Sequence, residues 1–132
     1  MGDLMDGEPC RVLVVDDNHD AADAAVMLIQ TWGHEAMAAY SGAQCVAIAK
    51  EFNPDVVLMD IGLPDKDGFA VKLELEKHCP AARVVALTGF TQADIVRQSR
   101  SAGFAYHLAK PVEADELKDV LDQHCTIAKA AP

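Results

Sequence analysis

Short apolar runs alternate with helix-length stretches of mixed polarity along this chain. Arg11-Val12-Leu13-Val14-Val15 runs into Asp16-Asp17, and Val56-Val57-Leu58-Met59 runs into Asp60. Runs this short, with no polar alternation, predict strands buried on both faces, as in parallel sheets. Arg11–Asp16 and Asp55–Asp60 are therefore read as the first and third strands. Glu35–Ala39 is a weaker second strand at an edge, Arg83–Thr88 the fourth and Ala105–Leu108 a short fifth. Helical spacing fills the gaps. Ala21–Trp32 turns Ala25, Leu28 and Ile29 to one face and stops at Gly33. Ser41 caps a helix to Phe52, with Cys45, Ile48 and Ala49 inward, and Asn53-Pro54 breaks it. Gly62–Gly68 is rich in turn residues. Phe69–His78 is closed by Cys79-Pro80, Gln92–Ala102 by Gly103, and Val112–His124 is the last helix.

Five strand–helix repeats predict an α/β fold: a (βα)5, doubly wound, parallel five-stranded sheet with helices on both faces. Right-handed crossovers leave few topologies, of which strand order 2-1-3-4-5 is the commonest. In that order the chain reverses between strands 1 and 3. Ligands of such sheets bind beyond the carboxyl ends of the strands at this reversal, which is where Asp16, Asp17 and Asp60 fall. Singly, each reads as a solvated loop aspartate. Together, three like charges are costly unless a cation joins them. An all-oxygen acidic set suits Mg²⁺ or Mn²⁺, and the metal in turn holds phosphate. Thr88 and Lys110 fall at the same edge, after strands 4 and 5. In isolation they read as a β-branched strand residue and a solvated turn lysine.

Bulk properties narrow the function. The 132 residues fit one domain, read as 10–125 between short flexible tails at 1–9 and 126–132. A hydrophobic content of 51% argues against disorder. A net charge of −10 disfavours nucleic acid or an anionic membrane as a direct partner. Neither a membrane span, which needs roughly 18 apolar residues, nor a secretory signal is found. Cys10, Cys45, Cys79 and Cys125 have neither CxxC spacing nor a histidine set for zinc, and are read as free thiols in a reducing cytoplasm. Trp32 and the scattered His19, His34, His78 and His124 are read as structural.

The set Asp16-Asp17, Asp60, Thr88 and Lys110 resembles the receiver domain of two-component response regulators, a CheY-like, flavodoxin-like fold. The segments VLVVDDN, PDVVLMDIGLPDKDG, VVALTG and GFAYHLAKPV carry the resemblance, in order, from Arg11 to about Gln123. It implies that Asp60 accepts a phosphoryl group from a phosphohistidine of a histidine kinase or histidine phosphotransfer protein. It implies Mg²⁺ on Asp17, Asp60 and the backbone carbonyl of Gly62, with Asp16 acting through a bound water. Phosphoryl transfer needs in-line positioning and neutralised equatorial oxygens, so Lys110 supplies a mobile charge, Thr88 a hydroxyl donor and Gly89 free space. A cis Lys110–Pro111 bond is implied as well. Phosphorylation then draws Thr88 toward the phosphoryl group, turns an aromatic residue on the fifth strand inward and shifts the surface of the fourth predicted helix, fifth strand and last helix.

The aromatic switch position on the fifth strand falls on His107, a departure from the family's usual Tyr or Phe. Switching is therefore expected to depend less on an aromatic flip. The GFxxHLxKPV form resembles receivers of hybrid histidine kinases and of single-domain regulators. Gly62 and Phe90, each two residues beyond an active-site position, flank the pocket. The expected protein is a cytoplasmic monomer, or a weak phosphorylation-dependent dimer, and not a multiple-turnover enzyme. A haloacid-dehalogenase-type phosphatase would carry its nucleophile in DxDx[TV] after the first strand, whereas this chain has DDNHD there. A receiver-like module that works without phosphorylation is disfavoured by the complete acid–Thr–Lys set.

Overall fold

The computed structural model describes residues 9–61, 68–89 and 103–130, without the side chains of 127–130. Its elements are β1 (Arg11–Val15), α1 (His19–Thr31), β2 (Glu35–Ala39), α2 (Gly42–Phe52), β3 (Val56–Asp60), α3 (Gly68–His78), β4 (Arg83–Thr88), β5 (Tyr106–Ala109) and α4 (Ala114–Ala130). The strands form one parallel sheet in the order β2-β1-β3-β4-β5, as the alternation predicts. The helix expected over Gln92–Ala102 lies outside the described residues.

Local chemistry sets the element ends. Asn18 caps α1, its Oδ1 accepting from the Ala21 N–H at 3.0 Å, so the helix starts two residues before the periodic pattern does. The Ser41 Oγ accepts from the Gln44 N–H at 3.1 Å and opens α2. Asn53 ends α2 in the left-handed conformation, at φ 53°. Gly68 opens α3 because a Cβ there would lie 2.5 Å from the Ile61 Cα. The last helix begins at Ala114 rather than Val112 and continues to Ala130. No Gly or Pro interrupts 112–130, so nothing stops it where the apolar pattern fades. β5 lies one residue later than the pattern places it.

Side chains alternate across the strands into two apolar layers. Leu13, Val57, Met59 and Ala86 pack with Cys45, Val71 and Leu75 beneath α2 and α3. Val12, Val14, Leu58 and Leu108 pack with Ile29 and Leu121 beneath α1 and α4. All five positions of β3 are buried, the four apolar ones as their unbroken run requires and Asp60 along with them.

The cysteines correct one expectation. Cys10 and Cys125 form a disulfide between the entry to β1 and α4. Only Cys45 and Cys79 are free, and both are buried. Burial pushes the Cys45 thiol up to about 12, so it is unreactive. The pairing was invisible because sequence spacing does not report that chain positions 115 apart meet across the sheet.

Two histidines bear on stability. The His34 Nδ1 accepts from the Cys10 N–H, and the His124 Nδ1 accepts from the Arg83 Nε–H, both at 3.0 Å. Burial lowers both pKa values; for His124 the Arg83 charge adds to this. Well above pH 6.5 both rings are neutral in either state. Below it the unfolded chain binds protons that the folded chain resists, so stability falls as pH falls. Urea midpoints should therefore decrease from neutral pH to about pH 5, less steeply in His124→Gln. Equal slopes for the variant and the parent would refute this role for His124.

Candidate functional site

The carboxyl edge of the sheet gathers the sequence-predicted acids. Asp16 follows β1 and its N–H donates to the Ala39 carbonyl at 3.1 Å. Its Oδ1 accepts from the Asn18 N–H at 3.0 Å, which fixes the carboxylate beside the mouth of α1. Asp60 ends β3, the strand next to β1, so register alone brings the two together. Asp16 is 4% exposed and Asp60 9%; Asp17 faces solvent. One oxygen from each of the three carboxylates lies within 4.8 Å of the others.

Lys110 reaches the acids from the end of β5. Its Nζ donates to the Asp60 Oδ2 at 2.8 Å and to the Asp16 Oδ2 at 3.1 Å. The Lys110–Pro111 peptide is cis, as the resemblance implies, and the Lys110 N–H donates to the Thr88 carbonyl at 2.7 Å. Partial burial pulls the ammonium's pKa down, but its hydrogen bonds to Asp60 and Asp16, together with their charges, outweigh that and raise it overall. Counted over these described residues, three carboxylates and one ammonium sum to a charge of −2. That remainder, on an all-oxygen donor set, fits one divalent cation of the Mg²⁺ type.

Thr88, buried at the end of β4, has its hydroxyl on the Leu108 carbonyl at 3.5 Å, a long hydrogen bond and a weak restraint. Beyond it, a Cβ built on Gly89 would meet nothing within 4 Å, so this edge is open to a ligand. His107 pairs in register with Ala86 and is half-buried, while the neighbouring Tyr106 is exposed and lies near the His124 ring. Gly62 and Phe90 lie outside the described residues. Two features escaped the sequence reading. Asn18 orients Asp16 as well as capping α1; the cap-type residue directly after Asp16-Asp17 is the signal that could have found it. A largely apolar cavity of about 640 Å³ opens beside the acids between α1 and α4, lined by Ala21, Ala25, Leu28 and Leu117 with Asp16 and Lys110. Small residues on the α1 face were its only trace.

The response regulator receiver domain model matches residues 12–122, so the chain belongs to that family. It is a receiver domain of two-component signalling, and receiver domains bind Mg²⁺ in an acidic pocket of the kind built here by Asp16, Asp17 and Asp60. Sporulation initiation phosphotransferase F of Bacillus subtilis is 26% identical over 114 residues, covering 86% of this chain and 92% of that protein. The transcriptional regulatory protein PdtaR of Mycobacterium tuberculosis is 32% identical over 110 residues, covering 83% of this chain but 53% of that protein. The chain spans only 25% of the transcriptional regulatory protein ZraR of Salmonella typhimurium, at 30% identity over 85% of its own length. The receiver domain protein (CheY-like) of Methanospirillum hungatei superposes with a TM-score of 0.85, covering 92% of this chain and 98% of that one, at 23% identity, and shows the shared fold. Among the described residues, no helix is long and apolar enough to cross a membrane.

Proposed function

We propose that Asp60 is the phosphoacceptor and that the chain takes its phosphoryl group from a phosphohistidine on a kinase or phosphotransfer protein. The observation that carries this reading is the shared cation. Lys110 grips Asp60 and Asp16 together, holding one carboxylate ready for attack while leaving the cluster two charges short of neutral. Asp17, Asp60 and the Gly62 carbonyl would hold Mg²⁺ directly and Asp16 through water. The metal, when bound, neutralises phosphoryl oxygens. Lys110 orients Asp60 and neutralises another side of the group. Thr88, released from its long bond to Leu108, donates to a third oxygen. Strand β5 responds at His107, and the surface of β5 and α4 carries the signal, together with the helix expected over Gln92–Ala102. Residues 10–125 form the working unit, acting in the cytoplasm as a monomer or a weak phosphorylation-dependent dimer. Attack by Asp60 and later hydrolysis are the only chemistry, so there is no multiple turnover of outside substrates.

Incubation with Mg²⁺ and acetyl phosphate, followed by intact-mass measurement, should give one phosphoryl adduct mapping to Asp60. Amide shifts at Thr88 and His107 should accompany it. Absence of an adduct with acetyl phosphate and with phosphohistidine donors alike would overturn the reading. Rapid turnover of unrelated phosphoesters would point to a phosphatase instead.

A further inference from the structure

The disulfide sits at the edge of the sheet opposite the acids. Cys10 precedes β1, and Cys125 lies in the C-terminal part of α4. Their Cα atoms are 5.8 Å apart, within the ordinary span of the bond. Both sulfurs belong to the apolar layer that also holds Val12, Val56 and Leu121. Along α4, among the described side chains, Cys125 is the last buried one, and Thr126 already faces solvent. The outer face of the helix carries Asp115 and Asp119 at like-charged i,i+4 spacing and the exposed Lys118–Asp122 pair at 3.4 Å, so side-chain charges add little net support to it. Without the covalent tie, the described residues hold the end of α4 through the packing of Leu121, His124 and Cys125 and through the hydrogen bond from Arg83 to His124.

We propose that Cys10 and Cys125 are a reversible thiol–disulfide site that latches the end of α4 to β1 under oxidising conditions and frees it under reducing ones. In the cytoplasm, thiol pools keep such pairs reduced unless the balance shifts. That compartment is the one step resting on the receiver reading. The oxidant is a low-molecular-weight disulfide. One cysteine thiolate attacks a sulfur of that disulfide, forming a mixed disulfide and releasing one small thiol. The second cysteine thiolate then attacks the protein-bound sulfur and releases the other. Two protein thiols are oxidised, one small disulfide is reduced, and the two protons pass to the departing thiolates. Both sulfurs are buried, so exchange proceeds through opening of the last turns of α4. The device lies far from Asp60 in the fold, and it acts on the helix that follows Lys110.

Denatured without reductant and alkylated, the oxidised protein should carry two alkyl groups, and four after reduction. Cys45 and Cys79 account for the constant pair. Native protein equilibrated in glutathione buffers of varied ratio should interconvert the two states. Reduction should speed hydrogen exchange of amides 121–126 by about tenfold or more and lower Tm by on the order of 10 °C. Four alkyl groups after treatment with oxidised glutathione would overturn the proposal. So would a bond that native protein keeps against reduced glutathione, or equal exchange in both states. Cys10→Ser should exchange like the reduced parent; the parent-only comparison decides the matter if that variant fails to fold. None of these readings needs a phosphodonor, so a failed phosphorylation test leaves them standing.

Discussion

Asp60→Asn should abolish phosphoryl incorporation altogether, from acetyl phosphate and from phosphohistidine donors, while the chain stays folded. The amide keeps the size and one acceptor oxygen of the carboxylate but is not a nucleophile at neutral pH. Neither neighbouring acid can take over. Asp16 has its Oδ1 on the Asn18 N–H and its Oδ2 on Lys110, and it is buried. Asp17 is exposed and stands outside the grip of the lysine. Only Asp60 lies at the end of a central strand with an oxygen 2.8 Å from the cation that would steady the incoming phosphoryl group. Intact-mass measurement checks the outcome. An adduct of undiminished yield in Asp60→Asn would assign the acceptor role elsewhere. Circular dichroism and a urea melt on the same sample separate loss of chemistry from loss of fold, and the melt should show no weakening. The substitution removes one of three crowded negative charges, and Lys110 keeps Asp16 as its partner.

Much of this was legible in the chain itself, for a physical reason. A parallel sheet buries its strands on both faces, so β1, β3 and β4 must be written as unbroken apolar runs, and their ends are then marked by the first acid or hydroxyl. Asp16, Asp60 and Thr88 are those first polar residues, and the topology of five βα repeats fixes which edge they share. Lys110 was legible only jointly, because a lysine after a four-residue strand has no periodicity of its own. The Cys10–Cys125 pair and the cavity between α1 and α4 were not legible. The first depends on how α4 sits against the entry to β1 and the second on how α1 and α4 sit over the sheet, distances that apolar patterning leaves undetermined. The length of α4 was missed because the apolar pattern ends before the helix does; the structure continues it through residues whose intrinsic helix preference needs no buried face.

The second large effect concerns the metal. In the parent protein, Mg²⁺ at a hundredfold excess over its Kd should add about 2.7 kcal/mol to the unfolding free energy, because it binds the assembled cluster and not the dispersed acids of the unfolded chain. Asp17→Asn should lose most of that gain. Removing Asp17 takes away one of the two net negative charges that make the cluster fit a divalent ion, and Lys110 already balances one of the remaining two. Asp17 is exposed, and the Lys110 bonds go to Asp16 and Asp60, so under the proposed role its loss should weaken metal binding without opening the core. In the absence of Mg²⁺ the sign reverses: the variant should be at least as stable as the parent, since a like charge has been removed from beside Asp16 and Asp60. Urea melts of both proteins with and without Mg²⁺ give the four free energies of this cycle. A variant that gains as much from Mg²⁺ as the parent would remove Asp17 from the metal site. A variant weaker than the parent without Mg²⁺ would show that Asp17 supports the fold rather than straining it. Phosphorylation of Asp17→Asn should fall in step with its weakened Mg²⁺ response and recover in part at high Mg²⁺. Asp60→Asn, which lacks the nucleophile, should show no such rescue.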